Sequence, residues 1–181
     1  VTLFTDLYGN AMNQIYYSAD SILYGNWISG YDVTGFPFNA NSLITTVISS
    51  GDLDGDGDLE LIFGTENGMI FALNKDGSEY LNYSQSSEII DFPILIDIDN
   101  NSTLEIVFIT LEDSVSTLFV INNNGQNIEG FPMTFSEIVK SGPASADFNN
   151  DELDDIVMVS EGGNLYLINS HAEVLSGFPL N

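Results

Sequence analysis

The chain has 181 residues, 44% of them hydrophobic, and a formal net charge of -25 from 27 Asp and Glu against two lysines, Lys75 and Lys140. That apolar content suffices for a buried core and argues against disorder, while so acidic a surface repels phosphate backbones and anionic membranes and argues against nucleic-acid binding. Without cysteine there is no disulfide framework, zinc-thiolate centre or thiol nucleophile, and no apolar run approaches the roughly 20 residues that insert into and cross a bilayer.

Four units follow one another in register. The first opens with a nine-residue stretch from Asp6 to Gln14, then an apolar triplet at 15–17 and an aromatic at Tyr24. It ends at a Gly-Phe-Pro phrase around Phe36. In the second, β-branched residues at 44–50 predict a strand that leads into the acidic stretch 52–60. Strands are predicted at 61–65, 69–74 and 78–83, separated by turns at Asn67-Gly68 and Asp76-Gly77, dipeptides that supply the positive φ of tight hairpins. The third repeats the plan with strands at 92–97, 105–110, 117–122 and 126–131 and a turn at Asn124-Gly125. The fourth carries the acidic stretch 147–155, apolar runs at 156–158 and 164–169, and a final Gly-Phe-Pro phrase at Phe178.

The nine-residue stretches beginning at Asp6, Asp52, Asp97 and Asp147 align without a gap at offsets of 46, 45 and 50 residues. A period of that size marks stacked supersecondary units, and four short strands per period is the sequence form of a propeller blade. No stretch of ten or more residues combines helical periodicity with a capping signal. The fold class expected is all-β, a β-propeller whose blades run approximately 1–38, 43–85, 90–135 and 141–181. The chain opens on Val1 and ends just after a Gly-Phe-Pro phrase, and both ends read as cuts in a longer protein.

Thirteen of the 27 acids lie in the three stretches at 52–60, 97–105 and 147–155. Alternating carboxylates on a glycine-broken loop offer several hard oxygens to one cation, which points to calcium. An EF-hand takes its bidentate acid at loop position 12; here position 12 is Phe63, Phe108 or Met158, so that geometry fails. An acid stands instead at position 9, as Glu60, Glu105 and Asp155. Up to three Ca2+ sites are therefore expected. The first would use Asp52, Asp54, Asp56, Asp58 and Glu60. The second would use Asp97, Asp99, Asn101, Thr103 and Glu105, and the third Asp147, Asn149, Asp151, Leu153 and Asp155. Positions 1, 3, 5 and 9 give side chains, and position 7 (Asp58, Thr103, Leu153) a backbone carbonyl. With four side-chain carboxylates the Asp52 site fills first. The first unit keeps only Asp6, with Tyr8, Asn10 and Gln14 at the other ligand positions, and is expected to bind no metal.

These loops, the strand after each and the Gly-Phe-Pro phrase resemble the FG-GAP or VCBS repeat family, found in integrin α-subunit propellers and bacterial surface proteins. The resemblance spans about residues 1–181. It implies a ring of about seven blades, calcium in the loop between the first and second strands of a blade, and further blades in the full-length chain. The family usually has Asp at position 9, so Glu60 and Glu105 depart from it. The function expected is a calcium-stabilised, non-enzymatic, extracellular module for adhesion or binding of a protein or glycan ligand. The alternative is a propeller part of a polysaccharide-degrading enzyme, for which Glu88, Asp91, Glu112 and Asp113 are the acids outside the loops to consider. His171 aligns with Asp76 and Asn124 and reads as an exposed turn residue. Trp27 reads as packing between blades, and the Phe-Pro dipeptides as devices that close each blade.

Overall fold

Alternation of apolar residues over short runs, punctuated by left-handed turn residues, gives this chain antiparallel hairpins throughout. The computed structural model describes residues 2–139 and 141–181. Val1, where the first blade is expected to begin, and Lys140, in the connection before the fourth, lie outside the described residues. Among the described residues, fifteen strands form four antiparallel sheets, each in simple sequential order. The first comprises β1 (Thr2–Thr5), β2 (Gln14–Ala19), β3 (Ile22–Trp27) and β4 (Phe38–Asn39). The second holds β5 (Ser49–Gly51), β6 (Glu60–Gly64), β7 (Met69–Leu73) and β8 (Glu79–Ser84). The third holds β9 (Glu88–Ile96), β10 (Glu105–Glu112), β11 (Val115–Ile121) and β12 (Met133–Phe135). The fourth has three strands, β13 (Ala144–Ala146), β14 (Asp155–Val159) and β15 (Leu165–Ile168), with single bridges to Val174 and Leu180 along the edge where a fourth strand would run.

Three strands differ from the sequence reading, the simplest case being β9, which begins at Glu88 and not at 92. The run 44–50 pairs as a continuous strand only from Ser49: ahead of it Ile44 makes a single bridge to Thr65 of its own sheet, while Val47 donates to the Asp91 carbonyl at 3.0 Å and the Thr45 hydroxyl to the Ile89 carbonyl at 2.6 Å, both in the neighbouring sheet. The fourth strand of the third sheet is 133–135, and not 126–131. Residues 128–131 form a turn closed by the Phe131 N–H on the Ile128 carbonyl at 3.0 Å. Matching turns stand at 33–36 and 175–178, so the Gly-Phe-Pro phrase precedes the outer strand and does not end it.

The sheets stack as blades, and the two faces of each strand serve two different interfaces. On β6, Leu61 and Phe63 face the first blade while Ile62 faces the third; on β10, Ile106 and Phe108 face the second blade while Val107 and Ile109 face the fourth. Three apolar clusters therefore lie between consecutive blades. Stacked aromatic pairs mark two of them: Phe63 on Phe71 at 5.4 Å and Phe108 on Phe119 at 5.0 Å between ring centroids. Phe38 meets the first pair edge-on and Tyr83 the second, the arrangement favoured by ring quadrupoles. Trp27 is half-buried at the first interface, 5.1 Å from the Tyr8 ring. This packing holds the first-to-second-strand loops of successive blades side by side.

Candidate metal centre

The four nine-residue loops join the first and second strands of their blades, between β1 and β2, β5 and β6, β9 and β10, and β13 and β14. Each folds around its first aspartate, whose carboxylate accepts backbone N–H groups from the loop itself. Asp52 takes those of Gly55 and Gly57 at 2.8 and 3.0 Å, and Asp97 those of Asn101 and Ser102, both at 2.9 Å. Asp6 and Asp147 do the same in their loops. This winding forces positive φ at positions 4 and 6 in every copy: Gly55 and Gly57, Asn100 and Ser102, Asn150 and Glu152, Gly9 and Ala11. Glycine takes that conformation without steric cost, whereas an L side chain there costs about 1–2 kcal/mol. The Asp52 loop is therefore the least strained of the four.

The residue at position 9 opens the second strand and is buried in all four blades: Gln14, Glu60, Glu105 and Asp155. It reaches back to the N–H of position 2, as Glu60 does to Leu53 at 2.8 Å and Glu105 to Ile98 at 3.0 Å. In two loops this brings three carboxylates together. Oxygens of Asp52, Asp54 and Glu60 lie within 4.8 Å of one another, as do those of Asp97, Asp99 and Glu105. Two ligands on opposite sides of a calcium ion, each about 2.4 Å from it, stand about that far apart, so both triads fit one hard cation. The second Glu105 oxygen, Oε1, is buried and has no hydrogen-bond partner.

Burial is the main reason the Glu60 and Glu105 carboxyls are pushed up to about 7. The N–H groups of Leu53 and Ile98 oppose that rise, and the neighbouring aspartates add to it. Burial also raises Asp155, against the N–H groups of Phe148 and Asn149.

The other expected ligands are placed differently. The Asp56 carboxylate is exposed and accepts the Asp58 N–H at 2.8 Å. Asp58 turns its side chain to Lys75 in an ion pair, a contact between loop and hairpin turn that sequence reading missed; one of two lysines in so acidic a chain was the signal for it. Asn101 accepts both the N–H and the hydroxyl of Thr103. In the fourth blade Asn149 donates to Asp151 at 2.8 Å and Asp155 at 3.3 Å, while Leu153 donates its N–H to Asp151. That loop satisfies its carboxylates internally.

The first blade shows what the site becomes without an acid. Gln14 Oε1 accepts the Leu7 N–H at 2.8 Å, as the glutamates do in their blades, while its Nε2 donates to the Met12 carbonyl at position 7. A neutral amide thus occupies the ligand cage. Glu105→Gln copies this solution into the third blade. In chelator the variant is expected to melt higher than the parent, because a buried carboxylate is removed. The sign follows from linkage: a folded-state pKa near 7, above the unfolded value, gives stability that is complete below about pH 4.3 and is lost as pH rises through 7. Urea titrations between these limits should show a shallower loss of stability with rising pH in the variant.

Beside the third and fourth loops a cleft of about 760 Å3 opens between the third and fourth blades, lined by Asp99, Ile128, Glu129, Leu153 and the exposed His171 among others.

No family profile and no curated protein sequence matches the chain. Solved structures do match in shape. BamB from Moraxella catarrhalis superposes with a TM-score of 0.63 at 13% identity, over 95% of this chain and 48% of BamB. BBS1N, solved in complex with ARL6DN, superposes with a TM-score of 0.70 at 14% identity, over 98% of this chain and 55% of its own. Both are β-propeller proteins, and the chain has the same fold. It spans about half the length of these matched structures.

Proposed function

We propose that this chain is an arc of a calcium-stapled β-propeller that acts as a non-catalytic, extracellular binding module. The observation that carries the calcium reading is Glu105, a buried carboxylate with one unpartnered oxygen that forms a triad with two aspartates. A buried ionised carboxylate is costly unless a cation or hydrogen bonds compensate it. All-oxygen chemistry suits calcium, whose coordination tolerates irregular geometry, better than magnesium, which demands a near-ideal octahedron. Asp52, Asp54 and Glu60 form the first site to fill and Asp97, Asp99 and Glu105 the second. The Asp147 loop is a weaker third, because Asn149 must release Asp151 and Asp155 before a cation enters. Calorimetric titration of chelator-treated protein tests this: two tighter calcium events, with magnesium far weaker, are expected. Absence of calcium binding would overturn it.

Calcium here holds loop to strand, and recognition falls to the surface those loops frame. The cleft between the third and fourth blades lies on that surface. A protein partner is favoured by the likeness to BBS1N, whose structure is a complex with ARL6DN. Screening the chain against matrix proteins and glycans, with calcium and with chelator, separates a protein from a sugar ligand.

A further inference from the structure

The three interfaces inside the chain share a plan of three parts. The apolar residue at position 2 of each loop, Leu7, Leu53 or Ile98, is a fully buried plug in the cluster shared with the next blade. An outer-strand residue, Phe38, Tyr83 or Met133, packs on the next blade, where Phe38 and Tyr83 cap the aromatic pairs. The glycine before Phe-Pro receives the hairpin turn of the next blade. A Cβ on Gly35 would stand 1.6 Å from the Asp76 carbonyl oxygen, and one on Gly130 would stand 2.6 Å from the Ala172 Cβ. The second blade has no Gly-Phe-Pro phrase, and there Leu81 meets Gly125 instead.

The two ends of the chain carry the unmatched halves of that plan. On the fourth blade the plug is Phe148 and the outer-strand residue Leu180, each 50% exposed, and Gly177 has nothing within 4 Å. On the first blade the aromatic pair is Tyr17 stacked on Tyr24 at 5.1 Å, with no ring capping it, and the turn glycine Gly30 also has nothing within 4 Å. We propose that the fourth blade of one copy docks on the first blade of a second copy. Leu180 then caps Tyr17 and Tyr24, Phe148 plugs the junction and the Ser29-Gly30 turn seats on Gly177. The faces are the halves that already fit each other three times within the chain. Two copies supply eight blades, and the matched propellers are about twice this chain in length. A head-to-tail contact of this kind forms a ring when its rotation closes.

The net charge of -25 opposes association, so the mass should be measured in calcium at about 1 M salt, where the Debye length is about 3 Å. Light scattering should give twice the 19.7 kDa chain mass. Gly177→Val and Gly30→Val should each give the single-chain mass, and an equimolar mixture of the two should restore the pair through its one intact junction. Gly9→Val controls for left-handed strain: Gly9 is equally open, and its counterpart Gly55 stays open beside an internal interface. It should pair like the parent. A single-chain mass for the parent at every concentration would overturn self-docking and assign these faces to further blades on the same polypeptide. Pairing of Gly177→Val alone would overturn the head-to-tail geometry.

Discussion

Chelation of calcium is expected to lower the melting temperature by roughly 10–20 °C. A ligand present at 100 times its dissociation constant stabilises the folded state by about 2.7 kcal/mol per site. Two filled sites give about twice that, and a chain of this size loses roughly 2–4 °C per kcal/mol. The physical origin is the pair of carboxylate triads. Each concentrates like charge within 4.8 Å, and among the described residues the one ion pair near them, Lys75 with Asp58, involves neither triad. Scanning calorimetry with and without chelator measures the shift. An unchanged melting temperature would remove the structural role of the metal while leaving the fold untouched.

Phe108→Ala destabilises the chain by about 3–5 kcal/mol, the cost of emptying a large aromatic site in a rigid core. Phe108 is fully buried between the second and third blades, stacked on Phe119 and met edge-on by Tyr83. No neighbouring chain segment can collapse into the space without breaking the β10 ladder, which pairs with both β9 and β11. Met12→Ala, at a residue 56% exposed in the first loop, is the control and should change stability by less than about 0.5 kcal/mol. Urea denaturation in calcium buffer compares the two. A loss below about 1 kcal/mol at Phe108 would mean that the blades are held by something other than these aromatic wedges.

The repeat was legible because blade geometry imposes the same residue at the same offset. The aromatic at Tyr24, Phe71, Phe119 and Tyr166 and the acid run before each second strand are visible without any structure. The meaning of position 9 was only partly so. Sequence gives an acid there, but its burial depends on the strand it opens, and the orphaned Glu105 oxygen depends on a fold that no local window contains. The strand at 126–131 was misread because Gln126 to Ile128 does begin beside the β11 strand, with the Ile128 N–H on the Val120 carbonyl at 2.9 Å. The turn that interrupts it is set by Phe131, whose ring is buried in the cluster between the third and fourth blades. Asp56 fits the alternating pattern and accepts the Asp58 N–H, while Asp58, expected to offer only its backbone carbonyl at position 7, has its side chain on Lys75, a contact that lies outside the local window.

The amide built into the first loop gives the molecule its own internal reference. The N–H groups of Leu7, Leu53 and Ile98 make the same bond in three blades, to a glutamine in one case and to glutamates in the others. Under the proposed calcium binding, hydrogen exchange at these three amides would read metal occupancy blade by blade within one sample. The Leu7 signal is expected to stay fixed as calcium is withdrawn, and those of Leu53 and Ile98 to report the order in which their loops let go.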